Sequence, residues 1–176
     1  MKFIKYIIFL LLIPAISNGQ TVHVDSNRAV YKGTVKLDKI KKEELYGRAK
    51  NAILNNVKGN KEILAIDNSE KGMITAKGSI RLPSPYYIIK TVEYIFELSV
   101  EDGKYEYRID SVYLKEVERG DKPVKISSEE LLKEIDVNGP VSATAEKQLN
   151  EIDMNFQKLI AIFNADMKAT VKKNTE

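Results

Sequence analysis

The stretch that most constrains this chain is a long alternation broken by Asp102-Gly103. Before the break, apolar residues fall mainly on every second position: Ile88, Val92, Tyr94, Phe96, Leu98 and Val100. After it they are Tyr105, Tyr107, Ile109 and Tyr113. Period-two alternation marks a strand with one buried face. Asp-Gly between two such runs predicts a hairpin through a type I′ turn, whose central residues both need positive φ. The two-residue turn sets the register: Val100 opposite Tyr105, Leu98 opposite Tyr107, Phe96 opposite Ile109. A slip of one residue would send one strand's apolar set to the other side. On the second face Glu101 meets Lys104 and Glu97 meets Arg108, pairs contributing about 0.2–1 kcal/mol each.

Carried away from the turn, this register places Glu93 opposite Val112, Ile95 opposite Asp110 and Thr91 opposite Leu114. Ile89, Ile95, Val112 and Leu114 then form an apolar strip on the face turned from the core. A contiguous, uncovered strip marks a contact site, so these four residues are the predicted interaction face. Two competing readings stay open. β-branched residues suit strands on either face, and a loop from Glu116 to Lys125 would cover the strip if it folded over it.

The first nineteen residues are read as an address. Lys2 and Lys5 precede an apolar run, Tyr6 to Ile13, and Ser17 and Gly19 are small residues suited to cleavage before Gln20. This is the pattern of a secretory signal peptide. A membrane span needs about 20 apolar residues, and Pro14 and Asn18 interrupt sooner. The sequence contains no cysteine, so the expectation is a periplasmic or secreted protein that is not a lipoprotein and has no membrane span after cleavage. Losing Lys2 and Lys5 takes the formal charge from +3 to +1, which gives no long-range pull toward nucleic acid or anionic membrane.

The remaining elements follow in order. Residues 20–28 are a mobile lead-in holding the sole histidine, His23, read as a solvated residue and not a metal ligand. Ala29 to Leu37 is a first strand. In Lys41 to Lys58 the residues Leu45, Ala49, Ala52, Ile53 and Val57 make a single helical stripe, and Gly59 suits the left-handed residue that ends many helices. Glu62 to Asp67 and Met73 to Leu82 are strands around the turn Asn68 to Gly72. Gly78 is read as a bulge or a place where a helix lies close. Residues 116–126 are a loop. Ser127 and Glu130 form a capping box for a short helix, which Asn138-Gly139-Pro140 ends. Ser142 to Val171 is a helix of roughly 45 Å with a stripe of Leu149, Ile152, Phe156, Leu159, Phe163 and Met167. The chain therefore divides into 1–19 signal peptide, 20–28 lead-in, 29–115 sheet domain, 116–126 loop and 127–176 C-terminal helical segment packing on the sheet.

Several short motifs lie in this frame: Glu44-Leu45-Tyr46 with Arg48-Ala49-Lys50, Asp67 to Gly72 with Lys77-Gly78, and Asp102-Gly103-Lys104-Tyr105 with Tyr107-Arg108. From Tyr31 to Leu114 their order and spacing resemble a bacterial family of exported proteins of unknown function with a TATA-binding-protein-like (TBP-like) fold. Lys41 departs from the family, standing where a helix-capping residue is usual, and the tryptophan common in that helix is absent. The resemblance implies an α+β, TBP-like β-α-β-β-β-β-α protein: an antiparallel sheet with helices packed on one face and a long C-terminal helix. It also implies a Gram-negative envelope address, and supplies no activity.

The residues predict no enzyme. No cysteine, one lead-in histidine and no glycine-flanked serine leave a nucleophile without a positioned base. No spacing supports a metal, and no cofactor-binding or phosphate-binding loop is present. Nucleic acid is excluded because Glu93, Glu97, Glu101, Glu106 and Asp110 make the hairpin's second face acidic on balance, the reverse of what phosphate wants. The expected function is a non-catalytic protein-interaction module of the cell envelope. The alternative is a small-molecule carrier with a pocket between sheet and last helix, lined by Tyr94, Tyr105, Tyr107 and Phe163. The residues name no partner and set no oligomeric state. Intact-mass measurement of the native protein should show a chain beginning at Gln20; retention of residues 1–19, or a lipid adduct, would refute the address.

Overall fold

The computed structural model describes residues 21–25, 28–58, 63–118, 121–136 and 143–169. The predicted signal peptide, the helix stop at Gly59 and the Asn138-Gly139-Pro140 break lie outside them. Ten elements follow in order: β1 (Thr21–Asp25), β2 (Arg28–Lys36), α1 (Lys42–Asn56), β3 (Leu64–Asn68), β4 (Met73–Leu82), β5 (Ile88–Glu101), β6 (Lys104–Glu118), β7 (Val124–Ser127), α2 (Ser128–Asp136) and α3 (Ala143–Lys168). The strands make one seven-stranded sheet in the order β1-β2-β6-β5-β4-β3, with β7 also paired to β6. Every pairing is antiparallel. The α+β architecture, with helices covering one face, is as the sequence predicts.

Two strands are additional. Thr21–Asp25, read as a mobile lead-in, pair with β2 as β1. The segment read as a loop from residue 116 instead continues β6 to Glu118, and β7 returns along it, Leu114 opposite Ile126 and Glu116 opposite Val124. Both are short, five and four residues, yet alternate β-branched and polar residues, Val22 and Val24 in one and Val124 and Ile126 in the other, which suits a strand.

The hairpin keeps its predicted register near the turn: Glu101 pairs with Lys104, Val100 with Tyr105, Leu98 with Tyr107 and Phe96 with Ile109. The turn itself differs. Gly103 has φ +72, but Asp102 does not enter the left-handed region, which rules out type I′. The Asp102 carboxylate is engaged outside the hairpin, where it accepts the backbone N–H of Lys42 at 2.8 Å. This supplies the cap that Lys41, with no capping side-chain hydrogen bond, does not provide at the start of α1. The same turn is tied to the β2–α1 connection, Gly103 N–H donating to the Ile40 carbonyl at 2.9 Å and Leu37 N–H to the Gly103 carbonyl at 2.7 Å.

Beyond Ile95 the predicted register fails. Ile95 faces Asp110 as expected, but Glu93 faces Tyr113 and Val92 faces Leu114. Ser111 and Val112 together oppose the single residue Tyr94: this is a β-bulge, with Ser111 at φ +51. One extra residue reverses the facing of everything after it. Val112 and Leu114, predicted on the open face, are buried among the core side chains, and Tyr113, predicted in the core, is exposed.

The covered face is packed by aromatic contacts to α3. Phe156 sits 4.8 Å from Tyr31 and 5.0 Å, edge-on, from Tyr94. Phe163 sits 5.0 Å from Phe96 and 5.8 Å from Tyr105. Such pairs contribute about 0.5–1.5 kcal/mol each beyond their buried area. Tyr105 donates to buried Asn164 at 2.7 Å. The α1 stripe packs beneath as predicted, and Arg48, itself buried, donates to the Met167 carbonyl in the last turn of α3 at 3.1 Å and to Glu44 at 2.6 Å. A cation there satisfies an orphan carbonyl and faces the negative end of the helix dipole. Gly78 marks neither bulge nor helix contact: the ring of its strand partner Tyr94 lies across it, as Tyr107 lies across Gly33. The capping box forms, Ser127 N–H donating to Glu130 at 2.7 Å and Glu130 N–H to Ser127 Oγ at 3.2 Å.

Gly103→Val should lower stability by about 1–3 kcal/mol, because a β-branched residue must take positive φ. Nothing lies nearer than 3.9 Å to an added Cβ, so the loss comes from the backbone alone. Asp102→Ala should cost about 0.5–2 kcal/mol, the value of a helix cap. Urea midpoints check both; an Asp102→Ala midpoint equal to wild type would refute the capping role.

Candidate functional site

The face of the sheet away from α1 and α3 carries the candidate site. Alternation along the strands puts Lys32, Thr34 and Lys36 of β2, Thr75, Lys77 and Arg81 of β4, and the odd-numbered residues of β5 on this side. From β6 it takes Lys104, Glu106, Arg108 and Asp110, then, after the bulge, Tyr113, Lys115 and Val117. The acidic balance predicted for the two central strands holds only there. The flanking strands add Lys32, Lys36, Lys77 and Arg81, so the whole face is mixed in charge.

Of the predicted interaction face, Ile89 and Ile95 lie on this side and Val112 and Leu114 do not. The bulge separates them. Tyr113 takes the position predicted for Val112, opposite Glu93, and Lys115 the one predicted for Leu114, opposite Thr91; Val117 follows opposite Ile89. The sequence does hold a signal for this. The apolar positions Ile109 and Val112 are three apart where a regular strand has two, with the polar pair Asp110-Ser111 between them.

A concavity indents each end of the face. One, about 640 Å³, lies near the turn end across β2, β6, β5 and β4; its polar side chains include Lys32, Thr75, Glu97, Glu106 and Arg108. Arg108 lies 2.8 Å from Asp110 and only 4.0 Å from Glu97, so the predicted cross-strand pair is the weaker of the two. The other, about 550 Å³, lies at the far end and contains Ile89, Ile95, Tyr113 and Val117 between Lys77, Lys115 and Lys125. Here Glu93 bonds Lys125 at 3.0 Å and Lys115 at 3.4 Å. The Lys125 hydrogen bond, with Lys115 adding, holds the Glu93 carboxyl below the usual range against the opposing effect of partial burial. Lys125 also lies over the Tyr113 ring, 4.2 Å from its centroid, a cation–π contact. Lys115 and Lys125 are direct cross-strand neighbours. Like charges so placed repel, and Glu93 bridges them.

The other predicted site is filled. Tyr94, Tyr105, Tyr107 and Phe163 are all buried, their rings packed on one another and on Phe96 and Phe156. Burial raises the pKa of Tyr94 and Tyr105, so neither ionises near neutrality. The motif residues of α1 make a clamp on β3: Tyr46 donates to Asp67 at 2.5 Å, and Lys50 reaches its other oxygen at 2.6 Å. Burial, then Asp67, pushes the Tyr46 hydroxyl up to about 12, a poor proton donor for chemistry. His23 lies in β1. Among the described residues no group of three or more His, Asp or Glu is placed to hold a metal ion, and no helix is long and apolar enough to cross a membrane.

An antiparallel sheet with helices on one face and a long final helix defines an α+β protein of TBP-like fold. Residues 31–115 match the family described as "Domain of unknown function (DUF4468) with TBP-like fold", so this segment is similar to that family. Crystal structures that share the fold include two from Bacteroides and Parabacteroides. One, a DUF4468 family protein from Bacteroides ovatus, superposes with TM-score 0.65 at 13% identity, covering 86% of this chain and 93% of its own. A TBP-like protein from Parabacteroides distasonis gives TM-score 0.67 at 17% identity, covering 85% and 99%. No curated protein matches the chain.

Proposed function

We propose that this protein is a DUF4468 family member and an exported, non-catalytic envelope module that binds another protein through the open face of its sheet. The observation that carries the reading is the uncovered apolar ground at the far end of that face. Ile89 is 45% exposed and Tyr113 37% exposed, in a sheet whose other side is covered by helices. Export rests on the signal-peptide pattern of residues 1–19, and the non-catalytic role on the lack of a paired nucleophile and base in the sequence. The carrier reading loses support because side chains occupy the space it needs. The carboxylates of β5 and β6 on the open face speak against a nucleic-acid partner.

The test is Ile89→Lys with Tyr113→Lys, followed by crosslinking in cells that make the protein and recovery of the tagged chain. Both side chains are exposed, so the fold should hold, with a loss of about 0.5–1 kcal/mol from the cation–π contact to Lys125. Crosslinked partners seen with wild type should disappear. A variant that unfolds, or one that recovers the same partners, would overturn the reading.

A further inference from the structure

The geometry points to the 550 Å³ concavity as a binding site for an extended acidic peptide segment of a partner protein, one in which a carboxylate lies close to a large apolar side chain. This rests on the reading just proposed and adds the chemistry of the partner. Three observations converge. Lys77, Lys115 and Lys125 rim the concavity against one lining carboxylate, Glu93, which two of them already share. The site therefore holds net positive charge and favours an anionic group. Its floor is apolar: Ile89, Ile95, Tyr113 and Val117. The third observation is the bulge. Ser111, not glycine, takes φ +51, a conformation disfavoured for side-chain-bearing residues. Its consequence is to turn Tyr113 from the core into this concavity, beneath Lys125. Bulges recur where a side chain must be re-aimed beside a site.

The shape favours a peptide. The concavity is walled on the sheet side only, so a free small molecule would leave much of its surface in water, whereas ligand pockets bury about 70–90% of theirs. An extended segment crossing β4, β5 and β6 seats one apolar side chain on Tyr113 and Ile95 and gains from its flanks. A bilayer is flat and does not enter a recess.

The test uses an equimolar set of acetylated, amidated pentapeptides of Glu, Leu and Phe, titrated into the mature protein and followed by NMR of the isoleucine methyls and backbone amides. The methyls of Ile89 and Ile95 and the amides of Tyr113 and Lys125 should shift. The same set with Lys for Glu should leave them in place. Lys115→Gln with Lys125→Gln should weaken binding about two- to fivefold, the range for exposed charge pairs. Tyr113→Ala, its fold checked by its own amide spectrum, should lose binding. Equal shifts with the basic set, or no shift at these residues, would overturn the site. Shifts confined to the neighbourhood of Lys32 and Glu97 would overturn it while leaving the open-face reading intact. The same shifts on adding vesicles of phosphatidylglycerol and phosphatidylcholine, with none from the acidic peptides, would assign the charge to a lipid surface and refute the proposal. Loss of crosslinked partners in Ile89→Lys with Tyr113→Lys reports on the broader reading separately.

Discussion

The hydrogen bond from the Lys42 amide to the Asp102 carboxylate joins parts of the chain sixty residues apart. It gives one short turn two roles. Asp102-Gly103 reverses the hairpin and also caps the helix that lies on the sheet. Neighbouring bonds extend the joint: Gly103 holds Leu37 and Ile40, the Gly72 carbonyl accepts the Val100 amide at 2.8 Å, and Lys42 reaches the Glu70 carbonyl at 2.6 Å. Three connections, β2–α1, β3–β4 and β5–β6, thus meet at one end of the sheet. The turn type follows from this. An aspartate held by a helix N-terminus adopts the backbone that aims its carboxylate there.

The residues that resemble the family are largely the residues of this scaffold. Tyr46 and Lys50 grip Asp67, Arg48 ties α1 to the end of α3, Gly78 admits the Tyr94 ring, and Gly72 and Gly103 take positive φ. Shared motifs therefore describe how the sheet and first helix are assembled. Of the open face on β4, β5 and β6 they include only Lys77, Lys104 and Arg108, and fold alone assigns no activity. The candidate site lies at the other end, where the bulge at Ser111 divides β6 into halves of opposite facing. Near the turn the open face is polar and ion-paired; beyond the bulge it is apolar with a lysine rim.

Much of this was legible in the residues. The hairpin, the α1 and α3 stripes and the capping box follow from periodicity and local hydrogen bonding, which short sequence windows report faithfully. Three things were not. The cap on α1 comes from a distant carboxylate, and no window around Lys41 contains it. β1 and β7 are too short, five and four residues, for their alternation of Val22 with Val24 and of Val124 with Ile126 to stand out without a pairing partner. The bulge was present as a three-residue step between Ile109 and Val112, but a register extended uniformly from the turn passes over it. That last miss mattered most for the site. It placed Val112 and Leu114 where Tyr113 and Lys115 stand, while Ile89 and Ile95, on the unbulged strand, kept their side.

The facing of β6 beyond Ser111 is the feature on which the site depends, and thiol accessibility measures it directly. The sequence has no cysteine, so single Cys variants report without background. Tyr113→Cys should react with a charged maleimide at the rate of an exposed thiol under native conditions, while Val112→Cys and Leu114→Cys should react only after unfolding. Rapid labelling at 112 and 114 with protection at 113 would show a hairpin without the bulge, and would contradict the account.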